Sequence, residues 1–226
     1  MKKGGTMTDK TKLGGLFYPT RDQAGFEIPF DSLFIPYIYK EIYFEGVYKD
    51  ILNGKKDMVI VDVGANIGIT VQHFQPYAKK LYAIEPSPEH FAALKKNKEY
   101  NEWDNVVLCN YALADKDGEM TFNQNNRNRT MNGIDEKGSL KVQTKGIDTF
   151  FEENKIDHVD FMKFDPEGAE EMILRSEGFK KVVDKIDSIE IEFHFPNWQE
   201  LVNYMIDLGF KARRYEASAV IVLFFR

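Results

Sequence analysis

The sequence predicts a three-layer α/β/α domain whose sheet has seven mostly parallel strands and an antiparallel last strand. Three observations carry this. An apolar strand runs straight into a glycine loop that opens a helix, Val59–Gly68, VIVDVGANIG. Strand-like and helix-like runs then alternate, the pattern of a parallel sheet covered on both faces. The chain ends in two strand-like runs, Phe210–Arg214 and Ala219–Phe224, separated by Tyr215–Ser218. At 226 residues the chain is long enough for one good core, burying roughly 70% of its unfolded surface.

Composition narrows the class further. Apolar residues at 43% and charged residues at 29% are those of an ordinary globular protein, neither fibrous nor disordered. No apolar run is long enough to span a bilayer. The N-terminus, MKKGGTMTDK, has no apolar stretch behind its charges, so it does not read as a secretory signal. The single cysteine, Cys109, excludes an intrachain disulfide and a cysteine-rich zinc site, and it lies in the apolar run Val106–Cys109. A cytoplasmic setting is expected. The net charge of −6 argues against broad, charge-driven nucleic-acid binding.

In chain order, residues 1–25 are polar and glycine-bearing, and a largely flexible N-terminus is expected there. Residues 26–57 read as an aromatic, helical extension, with eight aromatics between Phe26 and Tyr48. Tyr39, Tyr43, Val47 and Ile51, with Ile38 and Ile42, form an apolar stripe at helical spacing, and Asn53-Gly54 closes the helix. Residues 58–226 form the main domain. Met58–Val61 is a buried strand that Asp62 ends, followed by the helical run Ile67–Phe74. Leu81–Ile84 is a strand, Pro88–Tyr100 a helix and Asn105–Cys109 a strand. The alternation breaks over residues 118–145, where short β segments (Glu119–Phe122, Leu140–Thr144) flank the polar stretch Asn123–Gly138. A polar loop of that length suits a substrate lid, with Arg127 and Arg129 placed to clamp an anionic group, and equally suits a solvated loop. Helix Ile147–Asn154, strand Val159–Phe164, helix Ala169–Leu174, strand Ser188–Phe195 and helix Trp198–Leu208 complete the series.

The glycine loop carries the first chemistry. Gly64 and Gly68 let the backbone approach a ligand, and the free amides of the new helix favour electron-rich groups. Glu85, 21 positions after Gly64 and at the end of the second strand, is placed to accept both hydroxyls of a ribose. Together these point to a nucleoside cofactor. In Gly64-Ala65-Asn66-Ile67-Gly68 the middle glycine of a dinucleotide loop is replaced by Asn66, and no lysine is present for a phosphate loop. D-x-G-x-x-x-G followed by an acid is instead the pattern of class I S-adenosylmethionine (SAM) methyltransferases.

A second constellation follows the strand Val159–Phe164: Lys163-Phe164-Asp165-Pro166-Glu167-Gly168-Ala169-Glu170. Ligands of open α/β sheets bind beyond the carboxyl ends of the strands, which places Asp165 and Glu167 at the mouth of the same site. The same residues also read as a helix start, with Asp165 as N-cap and Pro166 at N1. In Ser188–Phe195, Glu190, Glu192 and His194 share one strand face. A strand buried in a covered sheet should be apolar on both faces, so these polar residues imply a polar cavity.

With these pieces in place, the chain resembles the FkbM family of SAM-dependent methyltransferases. The resemblance runs through DVGANIG (Asp62–Gly68), IEPSPEHFAALKKN (Ile84–Asn97), NYALAD (Asn110–Asp115), KGIDTF (Lys145–Phe150), KFDPEGAE (Lys163–Glu170) and IEFH (Ile191–His194), over roughly residues 45–195. Pro166 stands where the family has an aliphatic residue. The resemblance implies a Rossmann-like methyltransferase fold and O-methylation of a small molecule, sugar or glycan end, with the acceptor unspecified. It implies that Gly64, Ala65, Asn66 and Gly68 cradle SAM, that Glu85 holds its ribose and that Ala112 lies beside its adenine. Asp62 would organise the loop or meet the cofactor's amino group, and Asp165 would lie near the methyl group.

Methyl transfer to a hydroxyl gains from a base that removes its proton. Asp165 or His194 is expected in that role, with Glu167 and Glu192 orienting the acceptor. The spacing of Asp165, Glu192 and His194 matches no metal motif, so no metal ligand is assigned. A magnesium- or manganese-assisted version stays as an alternative. Two rival functions stay open: an RNA methyltransferase and a non-catalytic SAM-binding domain.

Overall fold

Lateral pairing of short apolar segments organises the molecule. The computed structural model describes residues 46–123, 140–215 and 220–226, together with Lys12–Leu13, Leu16–Phe17, Ile42 and Gly133–Ile134. Most of the expected flexible N-terminus, most of the aromatic extension and Arg127 and Arg129 lie outside the described residues. Within the first of these, Lys12–Leu13 pairs antiparallel with Leu16–Phe17.

In chain order the elements are α1 (Lys49–Leu52), β1 (Met58–Val63), α2 (Ile69–Phe74), β2 (Ala78–Ile84), α3 (Pro88–Asn101), β3 (Val106–Cys109), β4 (Ala112–Ala114), β5 (Gly118–Asn123), β6 (Gly133–Ile134) and β7 (Leu140–Gly146). They continue with α4 (Ile147–Glu153), β8 (Phe161–Phe164), α5 (Glu170–Leu174), α6 (Glu177–Val182), β9 (Ser188–Phe193), α7 (Trp198–Asp207), β10 (Lys211–Arg214) and β11 (Val220–Phe225). The main sheet has seven strands in the order β10-β11-β9-β8-β1-β2-β3. Its pairings are parallel except the two made by β11, which inserts antiparallel between β9 and β10. The expected architecture is therefore observed. The order reverses between β1 and β8, and this is where ligands of open sheets bind. The β segments of residues 118–145 form a separate four-stranded sheet, β4-β7-β5-β6.

Each face of the main sheet has its own core. Val61, Val63, Met162, Phe164, Ile189 and Ile191 face one side and pack with Phe150, Ile173, Phe179, Leu201 and Met205 of α4 to α7. Ile60, Leu81, Ala83 and Phe161 face the other side and pack with Tyr48, Leu52, Val71, Phe74 and Leu94 from α1 to α3 and the turn before them. Ser87 caps α3 by accepting from the His90 amide, with Pro88 in the first turn where no amide is needed.

The structure corrects four local expectations. Strand β1 continues through Asp62 to Val63, so Asp62 is a fully buried strand residue and does not end the strand. No continuous helix carries Val47 and Ile51. Gly46 takes φ +67°, Val47 and Tyr48 turn, and the helix is only Lys49–Leu52. Asp165 and Pro166 do not start a helix: α5 begins at Glu170 with Ala169 as N-cap, because Glu167 (φ +53°) and Gly168 (φ +101°) take left-handed conformations between. Finally, β9 ends at Phe193, so His194 lies just beyond it.

Candidate active site

Register places the polar residues. Lys163 of β8 pairs with Asp62 of β1 on one side and with Glu190 of β9 on the other. The three form a row across the carboxyl half of the sheet, on the face that α2, α3 and Tyr48 cover. Lys163 Nζ lies 3.0 Å from Asp165 Oδ2 and 3.9 Å from Asp62 Oδ1. Burial alone would lower the lysine pKa, but Asp165 and Asp62 outweigh it and hold Lys163 well above its ordinary value. Asp62 also accepts from the Thr70 hydroxyl, tying β1 to α2. Burial raises the Asp62 pKa despite Lys163 and Thr70. Glu190, 5% exposed, is pushed up to about 8 by burial, against Lys163 and a hydrogen bond from Tyr48.

The glycine loop meets this row directly. Gly64 takes φ +80°, and a Cβ there would collide with the Asp165 backbone carbonyl. Gly68 takes φ +97°, and its Cβ would lie 2.7 Å from Leu94 Cδ1. Gly64 is thus required by backbone conformation and by close approach to a backbone carbonyl, and Gly68 by its left-handed conformation, since the Leu94 tip can move. The Gly64 and Ala65 amides donate to the Ile84 carbonyl. The Asn66 amide donates to Glu85 Oε2 at 2.9 Å, and the Ser87 amide to Glu85 Oε1 at 2.7 Å. Glu85, 4% exposed, is raised to about 7 by burial, with those two amides working against the shift. Its carboxylate therefore fastens the loop to β2. Asn110, just after β3, donates to the Glu85 carbonyl at 2.9 Å. Ala112 is buried at the start of β4.

At the carboxyl ends of β8 and β9 the second constellation converges. His194 Nδ1 lies 2.7 Å from Glu170 Oε1, and the Glu170 side chain is fully buried. The other ring nitrogen, Nε2, looks at Glu167 Oε2 at 3.4 Å, Glu192 Oε1 at 3.7 Å and Asp165 Oδ1 at 3.8 Å. Burial would lower the His194 pKa, but the Glu170 hydrogen bond and the charges of Asp165 and Glu167 raise it to about 9. Glu167 is pushed up to about 8 by burial and Asp165, with His194 pulling the other way. The structure thus gathers Asp62, Gly64, Asp165, Glu167, Glu192 and His194 at the carboxyl end of the sheet's central strands, with Ala65, Asn66, Gly68 and Glu85 in the adjoining loops and Ala112 at the start of β4. Lys163, Glu170, Glu190 and Thr70 are members that sequence reading left unassigned. The alternation of β9 hinted at Glu190, and the in-register lysine of β8 was its missing counter-charge.

Comparison with known proteins decides the family. The model of the methyltransferase FkbM domain matches residues 62–212, about two thirds of the chain. The chain belongs to the FkbM methyltransferase family. The matched FkbM region starts at Asp62 and contains the glycine loop, Glu85, Asp165 and His194. Among curated proteins, the FkbM chain is 25% identical over 160 residues to the 2-O-methyltransferase NoeI of Sinorhizobium fredii, covering 62% of this chain and 64% of that one. It is 26% identical over 143 residues to the hexuronic acid methyltransferase AglP of Haloferax volcanii, covering 62% and 57% respectively. The match therefore spans less than two thirds of either relative. Among solved structures, an rRNA methylase from Streptococcus thermophilus superposes with TM-score 0.52 at 13% identity, over 79% of this chain and 93% of that one, a likeness of fold.

Proposed function

We propose that this protein transfers the methyl group of SAM to a hydroxyl oxygen of a small-molecule or carbohydrate acceptor. One observation carries the reading: the glycine loop and the Asp165–Glu167–His194 cluster touch at Gly64, so that cofactor and acceptor sites share a wall. The family match and the two sugar-related or O-directed relatives support it.

The residues fit the cofactor. Asp62 Oδ1, on a fully buried side chain, accepts no hydrogen bond, and SAM brings an ammonium that can donate to it. Gly64–Gly68 would cradle its methionine end, Glu85 and the Asn66 side of the loop its ribose, and Ala112 its adenine. When bound, SAM supplies a methyl group on sulfur that leaves with the carbon–sulfur electron pair kept by sulfur. The protein's own work is to hold the acceptor oxygen in line and to take its proton as the oxygen–carbon bond forms. Asp165 is assigned as that base: Lys163 holds its Oδ2, while Oδ1 faces the cluster with no donor on it. His194, kept protonated at neutral pH by Glu170, serves with Glu167 and Glu192 to orient acceptor hydroxyls. The lone Cys109, buried and unpaired, agrees with a cytoplasmic setting, and among the described residues no helix is long and apolar enough to cross a membrane.

Calorimetric titration with SAM, S-adenosylhomocysteine and NAD tests the cofactor assignment, the first two binding and NAD not. Asp165→Asn is then expected to lower turnover of a responsive acceptor by about 10²–10⁴-fold. S-adenosylhomocysteine affinity should change by less than about tenfold. A collapse of that affinity would move Asp165 to the cofactor site.

A further inference from the structure

The arrangement around His194 has a hole at its centre. Its Nε2 faces Glu167 Oε2 and Asp165 Oδ1 at 3.4 and 3.8 Å, too long for the charge-assisted hydrogen bond that Nδ1 makes at 2.7 Å. The three ligand atoms nevertheless lie within 4.8 Å of one another. An ion with bonds of about 2.1 Å holds adjacent and opposite ligands roughly 3 and 4.2 Å apart, which brackets the two distances from Nε2. A second observation is independent of that spacing. Behind the imidazole, Glu170 is fully buried, and its Oε2 has no hydrogen-bond partner. Its Oε1 accepts from His194 Nδ1, the relay that fixes the tautomer and ring orientation of metal-bound histidines.

We propose that Asp165, Glu167 and His194 bind a divalent cation of the magnesium or manganese class, with Glu170 as the positioning carboxylate behind His194. The proposal rests on the methyltransferase reading of the same site and revises one part of it: Asp165 becomes a ligand, and the role of base passes from it. Two carboxylate oxygens and one imidazole nitrogen suit such a cation, and its remaining positions are free for water and an acceptor hydroxyl. The ion takes the place of the His194 proton as the positive charge held there. It also lowers the pKa of the bound hydroxyl, so the proton lost as the oxygen–carbon bond forms passes to Glu192 in place of Asp165. The other described cluster, His158, Asp160 and Asp187, lies at the opposite ends of β8 and β9. There the His158 and Asp187 side chains are 49% and 60% exposed, with no buried carboxylate among the described residues behind the imidazole, and that cluster serves as a control.

The test is a titration of metal-stripped full-length protein with Mn²⁺, in the presence of S-adenosylhomocysteine, reading free ion by electron paramagnetic resonance. One ion per chain is expected. His194→Ala and Glu167→Gln should each weaken it more than about tenfold, and Glu170→Gln by about 10–100-fold. Asp187→Asn should leave it unchanged. Circular dichroism melts establish that the variants fold, and Glu167→Gln, at the half-open mouth, is the substitution least demanding of the core. Absence of a stoichiometric ion, full binding by His194→Ala, or loss in Asp187→Asn would each overturn the proposal. Calorimetry with S-adenosylhomocysteine on the same samples separates the two readings: if it binds and Mn²⁺ does not, only the ion falls.

Discussion

A single atom decides how close the two halves of the site come. Gly64 has no Cβ, and the Asp165 carbonyl occupies the space a Cβ would fill. Gly64→Ala must therefore displace the second motif as well as force a left-handed alanine, and should cost upward of about 2 kcal/mol in urea unfolding. Gly168 takes a similar conformation, φ +101°, but nothing lies within 4 Å of its Cβ position. Gly168→Ala should cost only the backbone strain, roughly 1–2 kcal/mol. Equal losses in the two variants would mean that the contact with Asp165 contributes nothing. The glycine spacing was legible because glycine has few substitutes at such φ values. Lys163 and Glu170 were not legible as site members: the first reads as a strand residue before a turn, the second as a favourable charge in a first helical turn.

Elements act on the site by holding loops they do not belong to. The N-cap of α2 is Gly68, which offers no side-chain hydrogen bond. The loop is secured from α3, where fully buried Asn97 donates to the Ile67 carbonyl at 2.7 Å. Asn97→Ala leaves that carbonyl without the bond and should cost about 1–3 kcal/mol in a denaturant melt. Its S-adenosylhomocysteine affinity should fall in calorimetry; unchanged affinity would show that the loop holds its shape without α3. On the other flank, Tyr48 packs edge-on against Phe74 at 4.7 Å and bonds Glu190, so the turn before α1 closes the sheet face beneath the site. The aromatic richness of this segment was visible in sequence. The turn at Gly46–Tyr48 was not, because an apolar stripe at helical spacing gives no sign of where a glycine turns the chain.

Across the whole molecule, the buried carboxylates give a definite pH signature. Glu85 is raised to about 7 and Glu167 and Glu190 to about 8, all from 4.5. The folded chain thus holds protons that the unfolded chain has released, and stability falls as pH rises from about 4.5 to 8. His194 is raised from 6.5 to about 9, so its contribution is complete below 6.5 and is lost as pH rises through 9. All four act in one direction. Asp148, held low by Lys181, changes stability only at pH below that window. The ligand-free protein should melt at least about 5 °C lower at pH 9 than at pH 5. A bound cationic ligand should flatten the difference in differential scanning calorimetry. A melting temperature that rises across this range would show that these carboxylates are satisfied by groups outside the row.

Local pattern sufficed for the alternating strands and helices, the antiparallel closing strand β11, and the positions of Gly64, Glu85, Asp165 and His194. Apolar periodicity and special backbone conformations are written in neighbouring residues. Only the tertiary structure decided that Asp62, Lys163 and Glu190 stand side by side, and that Glu170 reaches His194. It also decided that each oxygen of Glu85 accepts one backbone amide. Those relations depend on strand register and on how one loop lies against another. A shift of one residue in β8 would turn Lys163 to the opposite face of the sheet and leave the two carboxylates without their cation.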